Sequence, residues 1–155
     1  MKKFHVHFVC TGNAYRSRLA EAYLKSKQPG HITASSSGIK ATENYNGAIT
    51  WYAARLAFNQ GLIDFLKHKW TQTSESHFKR ADLVVFMNQE HCDFSKKVLG
   101  FSGSNYEIWE IPDLSHLGFN LELSSAEDDL RRIKATEQTF ADIRKRVDDL
   151  ITRLG

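Results

Sequence analysis

Phe4, Val6, Phe8 and Val9 form a short β-rich run suited to a buried strand, and Leu19, Ala20, Tyr23 and Leu24 recur at helical spacing soon afterwards. The junction is Cys10-Thr11-Gly12-Asn13-Ala14-Tyr15-Arg16-Ser17, so a tight loop carries the chain from a strand directly into a helix. The same alternation continues. The first helix is expected to stop near Gln28-Pro29-Gly30. A second helix is expected from about Asn46 to Gly61, a short one after Ser74, and another capped by Asn88 that ends before Gly100. Phe101 to Asn105 reads as a loop into a further strand. Ser124 with Glu127 fits a capping box, after which Leu130, Ile133, Phe140, Ile143, Val147, Leu150 and Leu154 follow at three- and four-residue steps and predict a long terminal helix packed on the sheet. Alternating strands and helices imply a parallel sheet with helices on both faces.

Backbone N–H groups that open a helix are unpaired and carry the positive end of its dipole, so the loop at residues 10–17 is a natural oxyanion cradle. A cysteine thiol in such a field ionises readily, with pKa values of about 3.5 to 7.5 against about 8.5 for a free thiol. Arg16 adds a fixed charge and a planar fork that matches two phosphate oxygens. Nucleophile and oxyanion clamp then share one loop. For Ser17 two readings stay open: a hydroxyl that donates to the thiolate, or a plain helix cap.

Val9-Cys10-Thr11-Gly12-Asn13, Arg16-Ser17 and Ala20-Glu21 together resemble the signature of the low-molecular-weight protein tyrosine phosphatases: cysteine, five residues, arginine, serine. Two further stretches are similar to that family. Ser35-Ser36-Ser37-Gly38, after Ile32-Thr33-Ala34, matches the end of its second strand, where Ser36 and Asn13 are expected to support the loop by hydrogen bonds. Ala81-Asp82-Leu83-Val84-Val85-Phe86-Met87 resembles its third strand. The resemblance implies a four-stranded, flavodoxin-like three-layer α/β sandwich. It also implies that Thr11, Gly12, Asn13, Ala14, Tyr15 and Ser17 hold the substrate phosphate. Gly12 and Asn13 both tolerate the left-handed backbone that a curled loop demands.

Tyr106-Glu107-Ile108-Trp109-Glu110-Ile111-Pro112-Asp113 is a strand that ends on a carboxylate. In open parallel sheets the ligand crevice lies beyond the carboxyl ends of the strands, where Cys10 and Asp113 can meet. Cleavage of a phosphate monoester needs a proton for the leaving oxygen, and Asp113 is the expected general acid. Here the chain departs from the family, because Leu114, Ser115 and His116 follow the acid where aromatic residues are usual; His116 is either a substitute proton donor or a rim residue. By its similarity to an aromatic residue in the family's specificity loop, Tyr45 is expected to be one wall of the pocket, with Trp51 and Tyr52 as competitors for that place. Tyr15 replaces a second cysteine that many members carry before the arginine, which removes a disulfide partner for oxidised Cys10 unless Cys92 can reach it. Arg18 stands where proline is usual and is expected to add positive charge near the mouth. Residues 116–135 read as an insertion or an extension of the last helix.

The 155 residues, 41% hydrophobic and 25% charged, are expected to form a single domain over 1–155. No segment is long enough to span a bilayer, and the apolar run after Lys2 and Lys3 is too short for a signal peptide, so a cytoplasmic setting is expected. Two cysteines make no disulfide framework. A net charge of +3 suits an anionic substrate. The basic run through Arg131, Arg132, Lys134, Arg144, Lys145 and Arg146 is interleaved with acids and reads as a solvated helix face, not a nucleic-acid stripe. His5 and His7 alternate onto one strand face without a third ligand, so no metal or other cofactor is expected.

The expected activity is hydrolysis of aryl phosphate monoesters through a phosphocysteine. The substrate would be a tyrosine-phosphorylated protein or a small aryl phosphate, with inorganic phosphate or a similar oxyanion also held in the loop. Two alternatives use the same cradle: thioredoxin-coupled arsenate reduction, for which only Cys92 is present as a resolving thiol, and a non-catalytic phosphate-binding module.

Overall fold

Side chains alternate along β1 (Phe4–Cys10), so Val6, Phe8 and Cys10 enter one apolar cluster and Val9 enters another on the opposite face of the sheet. In this computed structural model, which describes residues 2–27, 29–45, 47–118 and 120–155, β1 is followed by α1 (Arg16–Ser26), β2 (Ile32–Gly38), α2 (Trp51–Asn59), α3 (Glu75–Arg80), β3 (Leu83–Phe86), α4 (Gln89–Val98), β4 (Tyr106–Ile108) and α5 (Ser125–Leu154). The four strands are all parallel in the order β2-β1-β3-β4. Leu19 and Leu24 of α1, Leu56 of α2, and Phe140, Ile143 and Val147 of α5 cover the Phe8 face. Phe78 of α3 and Cys92 of α4 cover the Val9 face. The three-layer α/β sandwich expected from the sequence is therefore present. Each fully buried aliphatic or aromatic side chain contributes about 1.5–3 kcal/mol, and Trp109, packed 5.6 Å from Phe8 between ring centres, is among the largest.

Register decides where the strand ends fall. Cys10 lies opposite Gly38 of β2, and Val9 opposite Phe86 of β3, so β1, β2 and β3 finish side by side. Beyond β4 the backbone continues the pairing, Trp109 N–H to Phe86 O (2.9 Å) and Ile111 N–H to Met87 O (2.8 Å), which carries Asp113 to the same end.

Local signals set most helix boundaries. α2 begins at Trp51, capped by Thr50, whose hydroxyl accepts the Ala53 N–H (3.2 Å). It starts later than its periodicity suggested because Gly47, at φ +70°, turns the chain outside the helical region; the expected boundaries at Gln28 and Asn46 lie outside the described residues. Gly61, at φ +71°, ends α2 as expected. The Ser124–Glu127 capping box opens α5 with reciprocal bonds of 3.1 and 3.2 Å. Leu130, expected in the buried stripe of α5, is instead 57% exposed, because the first turns of this helix run past the packed layer. There Asp128 pairs with Arg131 and Arg132, as expected for a solvated face. Residues 116–135 comprise the end of a short 3-10 turn (Leu114–Leu117), a connection and these first turns.

Histidine serves as a capping acceptor at three element starts: the backbone N–H of Ser74, Asn88 and Asp113 donates to Nδ1 of His77, His91 and His116 respectively, each at 3.0 Å. Among the described residues no helix is long and apolar enough to cross a membrane.

Candidate active site

The loop after β1 is held from below by one side-chain amide. Asn13, at φ +53°, is wholly buried, and its Nδ2 donates to Ser17 Oγ (2.8 Å) and Ser36 Oγ (2.9 Å) while its Oδ1 accepts the Thr71 N–H (2.8 Å). All three polar positions of the amide are filled, which fixes its orientation. Of the two loop residues expected to tolerate a left-handed backbone, Asn13 adopts it and Gly12 does not. Ser36 passes the chain on by donating to Glu21 Oε1, and Glu21 also accepts from Lys25. Lys67 donates to Ser36 O (2.6 Å) and Thr71 Oγ1 (3.0 Å), and burial lowers its ammonium to about 8.

Ser17 Oγ lies 2.8 Å from Cys10 Sγ. Because that oxygen already accepts from Asn13, its hydrogen is free to point at the sulfur. α1 begins at Arg16 with Tyr15 in the cap position, so Ser17 sits inside the helix. Of its two sequence readings, the geometry keeps the thiol partner. Gly38 closes the back of the loop: a Cβ there would lie 2.5 Å from Thr11 O and 2.6 Å from Asn13 N, so only glycine lets β2 approach this closely.

Arg16 is 2% exposed, and its Nη1 donates to Ile111 O (2.9 Å) and to Asn88 Oδ1. Its Nη2 reaches Thr11 Oγ1 at 3.4 Å, and its buried Nε has no hydrogen-bond partner among the described residues. A guanidinium pinned on one edge with an unpaired N–H on another is suited to receiving an oxyanion. Thr11 Oγ1 also lies 2.9 Å from His91 Nε2. Since His91 Nδ1 accepts the Asn88 N–H, its proton is on Nε2 and it donates to Thr11. Burial, with Arg16 next in effect, holds His91 down at about 3 and so keeps it neutral.

The Asp113 carboxylate faces this loop, with Oδ1 3.9 Å from Arg16 Nε and Oδ2 accepting from Ser115 Oγ (2.8 Å). His116 turns Nδ1 to the Asp113 backbone, so it orients the segment. A cleft of about 250 Å³ opens over Cys10 and Arg16 and is walled by Lys40, Glu43, Asn44, Tyr45, Thr50 and Asp113. Tyr45 stands on this wall 98% exposed, whereas Trp51 and Tyr52 stack edge to face on each other and Tyr52 bonds to Asp129 (2.6 Å).

One expectation changes, and two gain detail. Arg18 is not at the mouth: it is 2% exposed and donates to Ala48 O (2.5 Å), Lys67 O and Asn13 O (3.4 Å), where a buried guanidinium ties three backbone segments together. Tyr15 lines the cleft, but its hydroxyl donates to Thr136 of α5 (2.8 Å) and the residue is 5% exposed. Cys92 packs on the opposite face of the sheet from Cys10, and burial raises its thiol. Ala14 accepts the Thr50 N–H through its carbonyl (2.9 Å), and Gly12 O accepts from Asn44 (3.1 Å). Sequence reading gave Asn88 only a capping role and passed over His91. The available signal was their position, just beyond β3 at the sheet end that also carries Cys10 and Asp113.

The family described as low molecular weight phosphotyrosine protein phosphatase matches residues 5–154. The chain belongs to that family. It is 34% identical over 87 residues to a protein-arginine-phosphatase of Bacillus subtilis, a match that covers 54% of this chain and 55% of the relative; the chain thus spans little more than half the length of that relative. It is 28% identical to a probable low molecular weight protein-tyrosine-phosphatase EpsP of Ralstonia solanacearum over 94% of this chain and 92% of the relative. Vibrio vulnificus Wzb, solved in complex with benzylphosphonate, shares the fold at a TM-score of 0.76 and 18% identity, over 97% of this chain and 98% of that one.

Proposed function

We propose that this chain is a cysteine-dependent phosphatase that hydrolyses aryl phosphate monoesters, foremost phosphotyrosine on a protein, through a phosphocysteine intermediate. One observation carries the reading: Cys10, Arg16 and Asp113 all line one cleft, with Ser17 Oγ 2.8 Å from the Cys10 sulfur and the Asp113 carboxylate 3.9 Å from Arg16 Nε. The Cys10 thiolate attacks phosphorus as the phosphorus–oxygen bond to the leaving phenol breaks, and Asp113 gives that oxygen its proton. Arg16 and the loop N–H groups hold the three equatorial oxygens, where fixed donors stabilise charge that develops in the transition state. Water then forms the new phosphorus–oxygen bond, its proton passes to Asp113, and sulfur departs as a thiolate stabilised by the Ser17 hydroxyl.

Thr11, Gly12, Asn13, Ala14, Tyr15 and Ser17 shape the cradle, Ser36 supports it, and Tyr45 offers a ring face to the substrate. Tyrosine is preferred because the tyrosine-phosphatase relatives align over more than nine-tenths of this chain. A second reading, phosphoarginine, is favoured by the relatives named protein-arginine-phosphatase and by Glu43 on the wall, a carboxylate able to pair with a guanidinium. Arsenate reduction is disfavoured by Cys92, which lies across the sheet from Cys10. A non-catalytic module is disfavoured by the complete set of nucleophile, clamp and acid.

Initial rates on an aryl phosphate, a phosphotyrosine peptide and a phosphoarginine peptide test this. The wild type is expected to cleave the first two, Cys10→Ser to lose at least about 10³-fold, and Asp113→Asn to lose about 10²–10³-fold in kcat. Turnover that survives Cys10→Ser ends the proposal, and cleavage confined to phosphoarginine replaces it with the second reading.

A further inference from the structure

A recess of about 410 Å³ opens beside the free edge of β2, lined by His5, Glu21, Lys67, Thr71, His77 and Arg80. Its polar floor is written into the strands. His5 and His7 of β1 stand in register with Thr33 and Ser35 of β2, and His7 is closed off by Ser35 (2.6 Å) and Ser37 (2.7 Å). His77 stacks flat on His7, with ring centres 4.8 Å apart and planes 8° apart. Its Nδ1 accepts the Ser74 N–H, which leaves the proton on Nε2 as a donor without a partner among the described residues.

Charge in this recess is unbalanced. The Glu21 carboxylate is occupied by Lys25 and Ser36 and lies 3.9 Å from Lys67, and Asp82, on the other side of His5, is taken by the His5 N–H (2.8 Å) and Lys2 (3.7 Å). Arg80 uses only Nε, donated to Ser76 O (3.3 Å), so its two terminal nitrogens remain available among the described residues. A cavity with a guanidinium whose terminal nitrogens are available, an ammonium, an imidazole donor and flanking hydroxyls has the chemistry of an oxyanion site. Its volume exceeds that of the catalytic cleft, so more than a bare inorganic ion fits.

We propose that this recess is a second binding site, separate from the cleft, for a small organic phosphate held by Arg80, Lys67 and His77. The site is connected to the nucleophile. Lys67 and Thr71 on its wall hold Ser36 and Asn13, and Asn13 holds Ser17 against Cys10. A phosphate that draws the Lys67 ammonium outward loosens the contact to Ser36 O, and the Asn13 side-chain amide feels the change.

Nitrogen-detected NMR of the full chain tests both parts, with the cleft blocked by alkylating Cys10 with iodoacetamide, an uncharged cap, and glycerol phosphate as the titrant. His5 and His77 ring signals are expected to shift and saturate, and the Asn13 side-chain amide to follow with the same midpoint. Arg80→Gln, an exposed substitution, is expected to raise that midpoint about tenfold, the effect of one lost charge-assisted contact. Ring signals that do not move, or a midpoint unchanged in Arg80→Gln, overturn the site. Ring shifts with a stationary Asn13 amide overturn the connection to the loop. These residue-specific signals do not depend on turnover, so the catalytic reading and this one fail separately.

Discussion

At the floor of the cleft, Asn13, Ser17, Ser36 and Thr71 spend nearly every donor and acceptor on one another; at the rim, Tyr45 is 98% exposed and Asp113 is steadied, among the described residues, by Ser115, His116 and a distant Arg16. Buried polar groups must be satisfied, so the floor has one arrangement and resists change. The rim is solvated, and its side chains can adjust to what enters. In the proposed reaction, a cleft built this way holds the phosphoryl group rigidly and leaves the choice of leaving group to residues that can vary.

The largest expected contrast comes from Asn13→Ala, which strands Ser17, Ser36 and the Thr71 N–H together. A fall in kcat/KM of about 10²-fold, or roughly 2.7 kcal/mol, is expected from steady-state rates on an aryl phosphate; a loss below about threefold would mean that the floor is not what positions Cys10. Gly38→Ala tests the same floor through sterics. With a Cβ 2.5 Å from Thr11 O, overpacking is expected to cost about 1–3 kcal/mol in chemical denaturation, whereas Gly30→Ala, with nothing within 4 Å, should leave stability nearly unchanged.

Acid stability sharpens the comparison further. His91 is fully buried and held near 3, against 6.5 for the free side chain, so the unfolded chain binds a proton that the folded chain refuses. Its contribution is complete above about pH 6.5 and shrinks as the pH falls toward about 3, by up to about 1.4 kcal/mol per pH unit. His91→Gln keeps a capping acceptor and a donor for Thr11, and denaturation curves between pH 7 and 5 should show a shallower acid limb than the wild type; equal slopes would place the acid sensitivity elsewhere. The smallest effect is expected at the rim. Tyr45→Ala should raise KM for an aryl phosphate about fivefold, close to 1 kcal/mol, with kcat unchanged, and a fall in kcat instead would make Tyr45 part of the chemistry.

Much of this was legible in the order of residues. The strand-to-helix loop, the Ser124–Glu127 cap and the Gly61 stop follow from short-range patterns that the fold preserves, whereas the Ser36 support, a contact 23 residues apart, came from the family resemblance. Leu130 misled because periodicity marks one face of α5 but not how far the layer beneath it extends. Arg18 misled for a related reason: a charged residue after a loop suggests solvent, and only the carbonyls of Ala48 and Lys67, far along the chain, make burial tolerable.

What the sequence determined alone is local chemistry: a cysteine, an arginine and helix-opening amides in one turn, with glycine and asparagine able to curl it. Tertiary structure decided what that turn meets. Parallel register brings the ends of β1, β2 and β3 and the run beyond β4 together, and so delivers Ile111 O, Asn88, His91 and Asp113 to Arg16 and Thr11. Spacing along the chain cannot encode those meetings, because they depend on which strands pair, and pairing is set by burial of both faces of the whole sheet.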